Sequence, residues 1–252
     1  MKIAIIGGTG LAIPDYLTHV KDIPVVTPFG KPDPVIYSGE YDGVPVFHLS
    51  RNGKNQELPP TKINYRANMY ALKQLGCDHI FATGTCGSLQ EEICPGEVII
   101  FDQFIDMTKQ PVTGIMAELN GGESPFVSMG EPFACELRDC LIESAIIQGI
   151  TVHTKGIALS IDGQRSSSRA ESKLYRCWGA DVINMTTAPE AILANELGMA
   201  YAALSLCTGY DSWRHDDNSA DPNEKMNIIR GNHSRIIKLL TCAIKKVEVS
   251  SD

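Results

Sequence analysis

The sequence predicts a single α/β domain over residues 1–252. The chain opens with a short apolar run over residues 2–6, and a glycine turn follows it. This pattern is typical of the first strand of an α/β domain. Residues 179–213 follow the pattern strand, turn, helix, strand and polar loop. With 43% hydrophobic residues, 21% charged residues and no Pro/Ser-rich or charged linker, the composition fits one globular domain with a large core.

The segment of residues 179–213 carries most of the functional prediction. Val182 and Ile183 end an apolar run and predict a buried strand. A helix is expected shortly afterwards, because Pro189 suits the first turn of a helix, where its missing N–H costs nothing. Glu190 fits the same turn, since its carboxylate faces the positive end of the helix dipole.

Polar residues follow both strands of this segment. Asn184–Thr187 is predicted as a turn with two hydroxyl groups, and Gly198 can end the helix that follows it. Tyr201–Leu206 is predicted as a second buried strand, with Thr208–Asp211 as a loop at its carboxyl end. Ligands of open α/β sheets bind beyond the carboxyl ends of strands. Hydroxyl groups, a helix N-terminus and a carboxylate therefore predict a pocket for an anion and a base.

The other elements are predicted from periodicity and turn residues, in chain order. They are a hairpin of Val35–Tyr37 and Val44–His48, a helix over Pro60–Leu75, a strand at Ile80–Thr83 with a loop at Gly84–Ser88, a strand at Glu97–Phe101 with its exit at Asp102–Thr108, a loop over Gly114–Met129, a helix over Glu136–Gln148, two strands marked by Val152 and by Ile157 and Leu159, a polar loop at Arg214–Asn218 and a closing helix over Asn232–Val247.

The charge of the chain limits its partners. A formal net charge of −8 argues against nucleic acid and anionic membrane surfaces, so an anionic substrate would need a local cationic pocket. Lys2 leads directly into the apolar run, so no cleavable signal is expected, and the apolar runs are far too short to span a bilayer. These observations predict a cytoplasmic protein.

The eight cysteines show no CxxC pair and no zinc-ligand spacing with histidine. Most of them lie in apolar runs, so buried free thiols of a reducing compartment are expected and no metal site is predicted. The glycine turn lacks the GxGxxG spacing and its acidic partner, which excludes NAD. No cofactor is expected.

Two features could bind phosphate. The turn Gly7–Gly10 would let backbone amides approach an anion closely, although many α/β domains open this way. Arg51 follows a predicted strand, and its planar guanidinium matches phosphate; a solvated loop arginine is the alternative. Ser167 and Ser168 precede Arg169–Glu171 and also suit a helix N-cap.

Ten motifs connect this chain with a known family. Together with the spacing of NMTTAPE and T-x-Y-D-x-W, they cover the chain from Lys2 to about Trp213. The sequence strongly resembles the 5′-methylthioadenosine phosphorylases of the trimeric purine nucleoside phosphorylase family. The motifs are IIGGTGL, TPFGKP, INYRAN, CGSL, PGE, DQFID, EPF, SSRAES, WGADVINMTT and NMTTAPE.

The resemblance implies a nucleoside phosphorylase fold, with a central mixed, twisted β-sheet flanked by helices. It implies a pentosyltransferase that cleaves the N-glycosidic bond of a purine nucleoside with phosphate as co-substrate. The expected substrate is 5′-methylthioadenosine or a related 5′-modified nucleoside, and the products are the free base and a ribose-1-phosphate derivative. It also implies a homotrimer that acts in purine salvage.

The resemblance further implies the residues of the site, with Asp211 as the catalytic candidate. Phosphate would contact Thr9, Arg51, Asn52, Thr85 and Thr186, with Arg51 as the main cation. The nucleoside would contact Cys86, Gly87, Phe126, Ser166, Ser167, Met185, Thr208, Gly209, Asp211 and Met226.

Several positions depart from the family pattern. Asn52 stands where relatives carry a phosphate-binding histidine, Ser166 where a phenylalanine stacks on the purine, and Gly209 where an aspartate meets the purine at N7. Phe126 takes the place of a histidine that reaches into the neighbouring subunit's site. The helix opening near Pro222–Met226 lines the 5′-pocket of relatives with apolar side chains, but here includes Lys225.

These departures leave three functions open. The first is phosphorolysis, with an altered 5′-substituent or base preference. The second is a catalytically weakened or inactive nucleoside-binding homologue, because three residues of the chemistry are replaced at Asn52, Ser166 and Gly209. The third is a related glycosidic cleavage such as hydrolysis. The fold alone does not decide among them.

Overall fold

A computed structural model describes residues 1–32, 35–109, 114–123, 126–214 and 221–249, which form eleven strands and six α-helices. The strands are β1 (Ile3–Gly7), β2 (Thr18–Ile23), β3 (Ile36–Tyr41), β4 (Val44–Ser50), β5 (His79–Ser88), β6 (Val98–Ile100), β7 (Gln103–Met107), β8 (Val152–His153), β9 (Ile157–Ile161), β10 (Val182–Asn184) and β11 (Ala200–Tyr210). The helices are α1 (Tyr65–Gln74), α2 (Ile115–Leu119), α3 (Cys135–Ile147), α4 (Arg169–Cys177), α5 (Thr187–Glu196) and α6 (Pro222–Val249), with a 3₁₀ turn at Pro60–Lys62.

All eleven strands join one sheet. The main path runs β2-β3-β4-β1-β5-β10-β9-β7, and β11, β6 and β8 continue from β5. Strand β1 pairs in parallel with β4 and β5, whereas β10 pairs antiparallel with β5 and in parallel with β9. The prediction of an α/β fold with a mixed central sheet flanked by helices is therefore confirmed.

Strand β5 creates the space in which a ligand can bind. Strand β11 pairs with it along its whole length, His79–Ser88, and so occupies one edge. The other edge is shared, because β1 pairs with His79–Ala82 and β10 pairs only with Gly87 and Ser88. Residues 83–86 have no strand partner on that second edge, and this gap lies at the carboxyl end of β1.

Helices cover both faces of the sheet. On one face, Met69 and Leu72 of α1 and Leu193 of α5 belong to the same buried cluster. On the other face, Leu141 of α3 and Leu240 of α6 pack in a second cluster. All five side chains are fully buried. Their burial removes apolar surface from water and so stabilises the packing of the helices on the sheet.

Two predicted loops are strands. Gly84–Ser88 belongs to β5, and β11 continues through Thr208 to Tyr210, so that only Asp211 of that predicted loop lies beyond the strand. The two segments pair with each other, with Thr85 opposite Leu206. The ladder of backbone hydrogen bonds outweighs the local preference of glycine and hydroxyl residues for turns.

Other strand predictions also differ from the structure. Asp102–Thr108, expected as a strand exit, contains β7. Strand β2 was not predicted, because five of its six residues are exposed and no buried face marks it in the sequence. The strands at Val152 and at Ile157 and Leu159 are confirmed as β8 and β9.

The helix boundaries show similar differences. The helix expected over Pro60–Leu75 is split into the 3₁₀ turn and α1, because the Asn64 side chain caps α1 by accepting from the amide of Ala67. The expected loop over Gly114–Met129 contains the short helix α2. Helix α6 begins ten residues before the prediction, and residues 215–218 of the predicted polar loop lie outside the described residues.

His48 of β4 is a fully buried side chain that holds the turn after β1. Its Nε2 lies 3.1 Å from the Leu11 carbonyl oxygen, and its Nδ1 lies 2.9 Å from the Tyr16 hydroxyl. Because a carbonyl can only accept, Nε2 donates to Leu11 and Nδ1 accepts from Tyr16. Burial lowers the pKa of His48 from 6.5 to about 4. A neutral imidazole therefore fixes Leu11, two residues after Thr9.

The free energy of unfolding is expected to fall as the pH drops from about 7 to about 5, partly through His48. The unfolded histidine takes up a proton near its ordinary pKa of 6.5, whereas the folded one does so only near about 4. The unfolded chain binds more protons in this window, so acid favours it, by about 2 kcal/mol at about pH 5 for this group. Urea denaturation at a series of pH values measures the change.

His48→Gln provides the comparison, because glutamine can still hydrogen-bond but does not titrate. The unfolding free energy of this variant should depend less on pH than that of the parent chain. His233→Gln, at a half-buried position on α6, is the matched control and should keep the parent's dependence. Identical pH dependence in the parent and in His48→Gln would show that His48 does not contribute.

Candidate active site

A cavity of about 650 Å³ opens at the gap beside β5. The residues that line it belong to or directly follow β5, β9, β10 and β11, follow β1 and β4, or lie in the 3₁₀ turn, before and at the start of α4, and in the first turn of α6. They are Thr9, Arg51, Asn52, Pro60, Gly84, Thr85, Cys86, Gly87, Ile161, Gln164, Arg165, Ser166, Ser167, Arg169, Ile183, Asn184, Met185, Thr186, Thr208, Gly209, Tyr210, Asp211, Ser212, Arg214 and Lys225.

Thirteen of the fifteen predicted site residues line this one cavity. They come from six separate parts of the chain, so the fold brings together residues that are far apart in the sequence. They are Thr9, Arg51, Asn52, Thr85, Cys86, Gly87, Ser166, Ser167, Met185, Thr186, Thr208, Gly209 and Asp211. Phe126 and Met226 are not among the described residues that line it.

The two remaining residues are exposed and do not line the cavity of a single chain. Phe126 is 100% exposed, and Met226 is 37% exposed. Met226 belongs to the first turns of α6, where Lys225, one residue earlier, lines the cavity instead. Successive residues of a helix point in different directions, so Lys225 lines the cavity of one chain and Met226 does not.

The glycine turn approaches its neighbours closely. A β-carbon on Gly8 would lie 2.6 Å from both Nη1 of Arg51 and the carbonyl oxygen of Thr83, so only glycine fits there. The Gly8 amide also donates to the Thr83 hydroxyl, at 3.2 Å. These contacts place Thr9, Arg51 and the middle of β5 side by side.

Arg51 forms a buried ion pair with Glu190 of α5. Its Nε lies 2.5 Å from Oε1 and its Nη2 lies 2.8 Å from Oε2 of Glu190, while Nη1 donates to the carbonyl oxygen of Thr83 at 2.6 Å. Burial alone would lower the pKa of the Arg51 guanidinium, but the charge and hydrogen bonds of Glu190 outweigh burial and raise it. Arg51 therefore stays charged, and Glu190 balances that charge.

Further contacts orient this pair. The Tyr201 hydroxyl donates to Oε2 of Glu190 at 2.9 Å. Thr186 is the N-cap of α5 and lies one turn before Glu190, so the pair connects Arg51 with the start of that helix. Of the five N–H donors of Arg51, three are used by Glu190 and Thr83. The other two have no hydrogen-bond partner among the described residues, and Arg51 lines the cavity together with Thr9 and Thr85.

The side-chain amide of Asn52 already makes one hydrogen bond within its own loop. Its Nδ2 donates to the carbonyl oxygen of Leu58 at 2.8 Å. One amide hydrogen remains for a ligand, and the side chain carries no charge. The resemblance implied that Asn52 contacts phosphate in place of a histidine, and Asn52 lines the cavity without adding a cation.

Two buried polar atoms mark the other end of the cavity. Ser167 and Asp211 are 4% and 7% exposed, and neither Oγ of Ser167 nor Oδ2 of Asp211 has a hydrogen-bond partner among the described residues. The Asp211 amide donates to the carbonyl oxygen of Ser88 at 2.8 Å, which holds the residue at the end of β5 and β11. Gly87 lies beside it, because a β-carbon there would be 3.6 Å from Cβ of Asp211.

Buried polar groups without partners are rare in folded proteins, because leaving a hydrogen bond unmade typically costs about 1–3 kcal/mol. An ionised carboxylate oxygen only accepts hydrogen bonds, whereas a hydroxyl can donate and accept. The pair formed by Asp211 and Ser167 therefore suits a ligand that presents a donor beside a second polar group.

Gly209 and Ser166, the other two positions at which residues of the chemistry are replaced, lie in a strand and at the rim of the cavity. Gly209 lies inside β11, where the backbone is extended rather than in the left-handed region. Ser166 is exposed at the cavity rim, and its neighbour Ser168 caps α4 through a capping box with Glu171. The N-cap prediction is thus confirmed for Ser168.

Sequence reasoning missed most of the cations of the cavity and the partner of Arg51. It did not assign Arg165, Arg169 or Arg214 to the site, and it noted Lys225 only as an unusual polar residue. The acidic net charge was a usable signal, since it required a local cationic pocket for any anionic substrate. Glu190 was assigned only to the helix dipole, and no pattern in the sequence relates it to Arg51.

The described residues contain no group of three or more His, Cys, Asp or Glu side chains that could hold a metal ion. Of the helices that the structure describes, none combines the length and the apolar character needed to cross a bilayer.

The expectation that most cysteines are buried is wrong. All eight are free thiols, but only Cys77, Cys86 and Cys207 are buried. Cys135 and Cys177 are exposed because they lie at the first turn of α3 and the last residue of α4, where a helix end meets solvent. Cys86 is the one cysteine among the described residues that line the cavity.

Comparison with known proteins agrees with this architecture. The profile of the phosphorylase superfamily matches residues 2–243. The chain is 42% identical to S-methyl-5′-thioadenosine phosphorylase of Xenopus tropicalis, over 98% of this chain and 89% of the relative. It is also 42% identical to that of Thermofilum pendens, over 98% and 92%. The structure of methylthioadenosine phosphorylase from Schistosoma mansoni in complex with adenine superposes with a TM-score of 0.90, at 33% identity, over 99% of this chain and 92% of that one.

Proposed function

This chain belongs to the phosphorylase superfamily, to the family of the S-methyl-5′-thioadenosine phosphorylases, and we propose that it uses phosphate to cleave the N-glycosidic bond of S-methyl-5′-thioadenosine or a closely related 5′-modified purine nucleoside. It is a pentosyltransferase that releases the free base and a ribose-1-phosphate derivative. The observation that carries this proposal is the polarity of the cavity, which has hydroxyls and a guanidinium at one end and an unpaired carboxylate at the other.

The first end of the cavity suits phosphate. Thr9, Thr85 and Thr186 offer hydroxyl donors, and Arg51 has two N–H groups left after its contacts with Glu190 and Thr83. The N-terminus of α5 begins after Thr186, and helix N-termini favour anions through their free amides and dipole. A phosphate held there would be oriented for attack on the anomeric carbon of the sugar.

The reaction requires charge to be stabilised in two places. A phosphate oxygen forms a bond to C1′ while the bond from C1′ to the base nitrogen breaks. The electron pair of the broken bond leaves with the purine, which takes up a proton. Positive charge develops on the ribose and is stabilised by the phosphate beneath it. Met185, at the cavity wall, would lie against the ribose.

The second end suits the base. Oδ2 of Asp211 would accept a hydrogen bond from the 6-amino group of adenine, and Ser167 would contact the neighbouring ring edge. Cys86, Gly87 and Thr208 complete the wall. Asp211 is the proposed catalytic residue, because it is the one carboxylate among the described residues that line the cavity.

One observation favours a second candidate. Gly209 provides no acid near the purine, and Ser166 provides no ring to stack on it. A weakened or inactive nucleoside-binding homologue would keep the cavity without efficient release of the base. A 6-oxopurine nucleoside would also satisfy Asp211, through its ring N–H, so the base preference is part of the test.

The proposal extends to the setting of the enzyme. Its partners are a purine nucleoside and phosphate, with no cofactor, no nucleic acid and no membrane surface, as the net charge of −8 supports. We place it in the cytoplasm as a purine salvage enzyme. The chain acts as one domain over residues 1–252.

Release of free base is expected from S-methyl-5′-thioadenosine only when phosphate is present. Purified protein is incubated with this nucleoside, with adenosine and with inosine, each with and without phosphate, and the bases are separated by chromatography. Release without phosphate would instead indicate a hydrolase. Binding of the nucleoside by calorimetry with no release would favour the inactive homologue.

Gly209→Asp is expected to increase the release of adenine. It places a carboxyl group where the purine needs a proton donor, and a general acid typically contributes about 10²–10⁴-fold. The increase should fall at the lower end of that range, because Ser166 leaves the base unstacked. The extended backbone at Gly209 can carry a side chain without the strain of a positive φ.

Gly209→Asn is the matched control, since it has the same shape but cannot give up a proton. Initial rates at saturating phosphate compare the three proteins, and thermal melts verify that both variants fold. Equal rates for the aspartate and asparagine variants would show that the missing acid does not limit the reaction.

A homotrimer is expected, with Phe126 covering the site of a neighbouring subunit. A fully exposed phenylalanine is costly in water, and a closed ring of three would bury it. Size-exclusion chromatography with light scattering should give three times the mass of one chain. Phe126→Ser should raise KM for the nucleoside, whereas Ile146→Ser, at another exposed apolar residue, should not. A monomer mass at micromolar concentration would contradict the trimer.

A further inference from the structure

The charged residues that line the cavity are mostly cations, although the protein as a whole is acidic. The chain has a formal net charge of −8, yet five cationic side chains and one carboxylate, Asp211, line the cavity among the described residues. The cations are Arg51, Arg165, Arg169, Arg214 and Lys225. Such a concentration of one sign in an acidic protein points to an anionic ligand.

Three of these five cations are already balanced. Arg51 pairs with Glu190, at 2.5 Å. The other two pairs lie at the rim, where Arg165 contacts Glu171 at 2.7 Å and Arg214 contacts Glu91 at 3.1 Å. Arg169 and Lys225 have no ion-pair partner in the described ranges of the chain. The positive charge left for a ligand therefore comes from these two residues.

Lys225 lines the cavity from the part of α6 that approaches the turn after β1. It precedes Ile229 by four residues, about one turn or 6 Å along α6. Ile229 packs so closely against Gly10 that any side chain at Gly10 would collide with it. Because Gly10 follows Thr9 directly, Lys225 belongs to the same side of the cavity as the Thr9 hydroxyl, and it is half-buried there.

Arg169 is in a different position. It is the first residue of α4, it is exposed, and it follows the Ser166–Ser168 turn at the base end of the cavity. An exposed charge is screened by water and contributes little to binding. Lys225 is therefore the unbalanced cation that is best placed for an anion near Thr9.

We propose that Lys225 is an oxyanion-binding residue of this site and that it supplies the net positive charge that the Arg51–Glu190 pair does not. This assignment rests on the proposed function, in which inorganic phosphate is the oxyanion. Asn52, the neighbour of Arg51, brings no charge of its own, so the phosphate dianion would otherwise meet donors but no uncompensated cation. An oxyanion group on the 5′-carbon of the nucleoside would have the same chemistry and could reach the same ammonium.

Lys225→Gln tests the assignment, with Lys225→Arg as the conservative variant. Lys238→Gln is the matched control, because Lys238 is an exposed lysine of the same helix outside the cavity. Isothermal titration with inorganic phosphate alone measures binding without any turnover. KM for phosphate and kcat are then measured with S-methyl-5′-thioadenosine.

Lys225→Gln is expected to weaken phosphate binding and to raise KM for phosphate about 5- to 10-fold. The variant loses a hydrogen bond from a charged ammonium group, at a half-buried position where water screens part of the charge. The nucleoside KM should change little, Lys225→Arg should restore most of the affinity, and Lys238→Gln should match the parent. Thermal melts verify that each variant is folded.

A second comparison shows whether Lys225 binds inorganic phosphate or an oxyanion group on the 5′-carbon of the nucleoside. The parent and Lys225→Gln are compared on adenosine 5′-monophosphate and on S-methyl-5′-thioadenosine, as ligands and as substrates. A loss confined to the 5′-phosphorylated nucleoside supports the oxyanion contact and assigns it to the 5′-group. If Lys225→Gln binds both phosphate and adenosine 5′-monophosphate as the parent does, the proposal is wrong.

The titration also separates this proposal from the proposed function. If the parent chain releases no base but binds phosphate in a Lys225-dependent manner, the phosphorolysis fails and the assignment of Lys225 stands. If base is released with phosphate and Lys225→Gln is indistinguishable from the parent in both arms, the phosphorolysis stands and the assignment of Lys225 fails.

Discussion

The buried ion pair between Arg51 and Glu190 is the interaction on which the rest of the site depends. Both side chains are about 3% exposed, and their two-point contact joins the end of β4 to the first turns of α5. Breaking such a pair by removing one partner typically costs about 3–5 kcal/mol, because the other charge is left buried and alone. The pair therefore fixes how the two strand ends that carry Arg51 and Thr186 approach each other, and so determines the width of the cavity at its phosphate end.

The same pair limits what Arg51 can do. A guanidinium that is balanced by a carboxylate still offers directed N–H groups, but it adds no net charge to the site. In the proposed site, orientation and charge would be supplied by different residues: the pair and the threonine hydroxyls would orient the anion, and an unbalanced cation would attract it. Of the five cations among the described residues that line the cavity, three have carboxylate partners, and only the Arg51–Glu190 pair is buried.

The sequence predicted the fold class and most of the residues around the cavity, because short motifs preserve local chemistry. Several of its errors come from pairing between distant segments. Gly84–Ser88 and Thr208–Tyr210 have the composition of loops, and they become strands because they lie side by side. Glu190 was related only to its own helix, yet its strongest contact is with Arg51, 139 positions away.

The unpaired atoms at the base end bear on whether the cavity still binds a nucleoside. A protein that needed only to fold would be more stable with Ser167 and Asp211 paired or replaced, because a buried acceptor without a donor typically costs about 1–3 kcal/mol. The cost is recovered when a ligand supplies the donor. Gly209 and Ser166 remove groups that would speed the departure of the base or stack on it, but they leave this acceptor in place. In the proposed function, recognition of the base by Asp211 and Ser167 would thus be separate from proton donation, because Asp211 is the one carboxylate among the described residues that line the cavity.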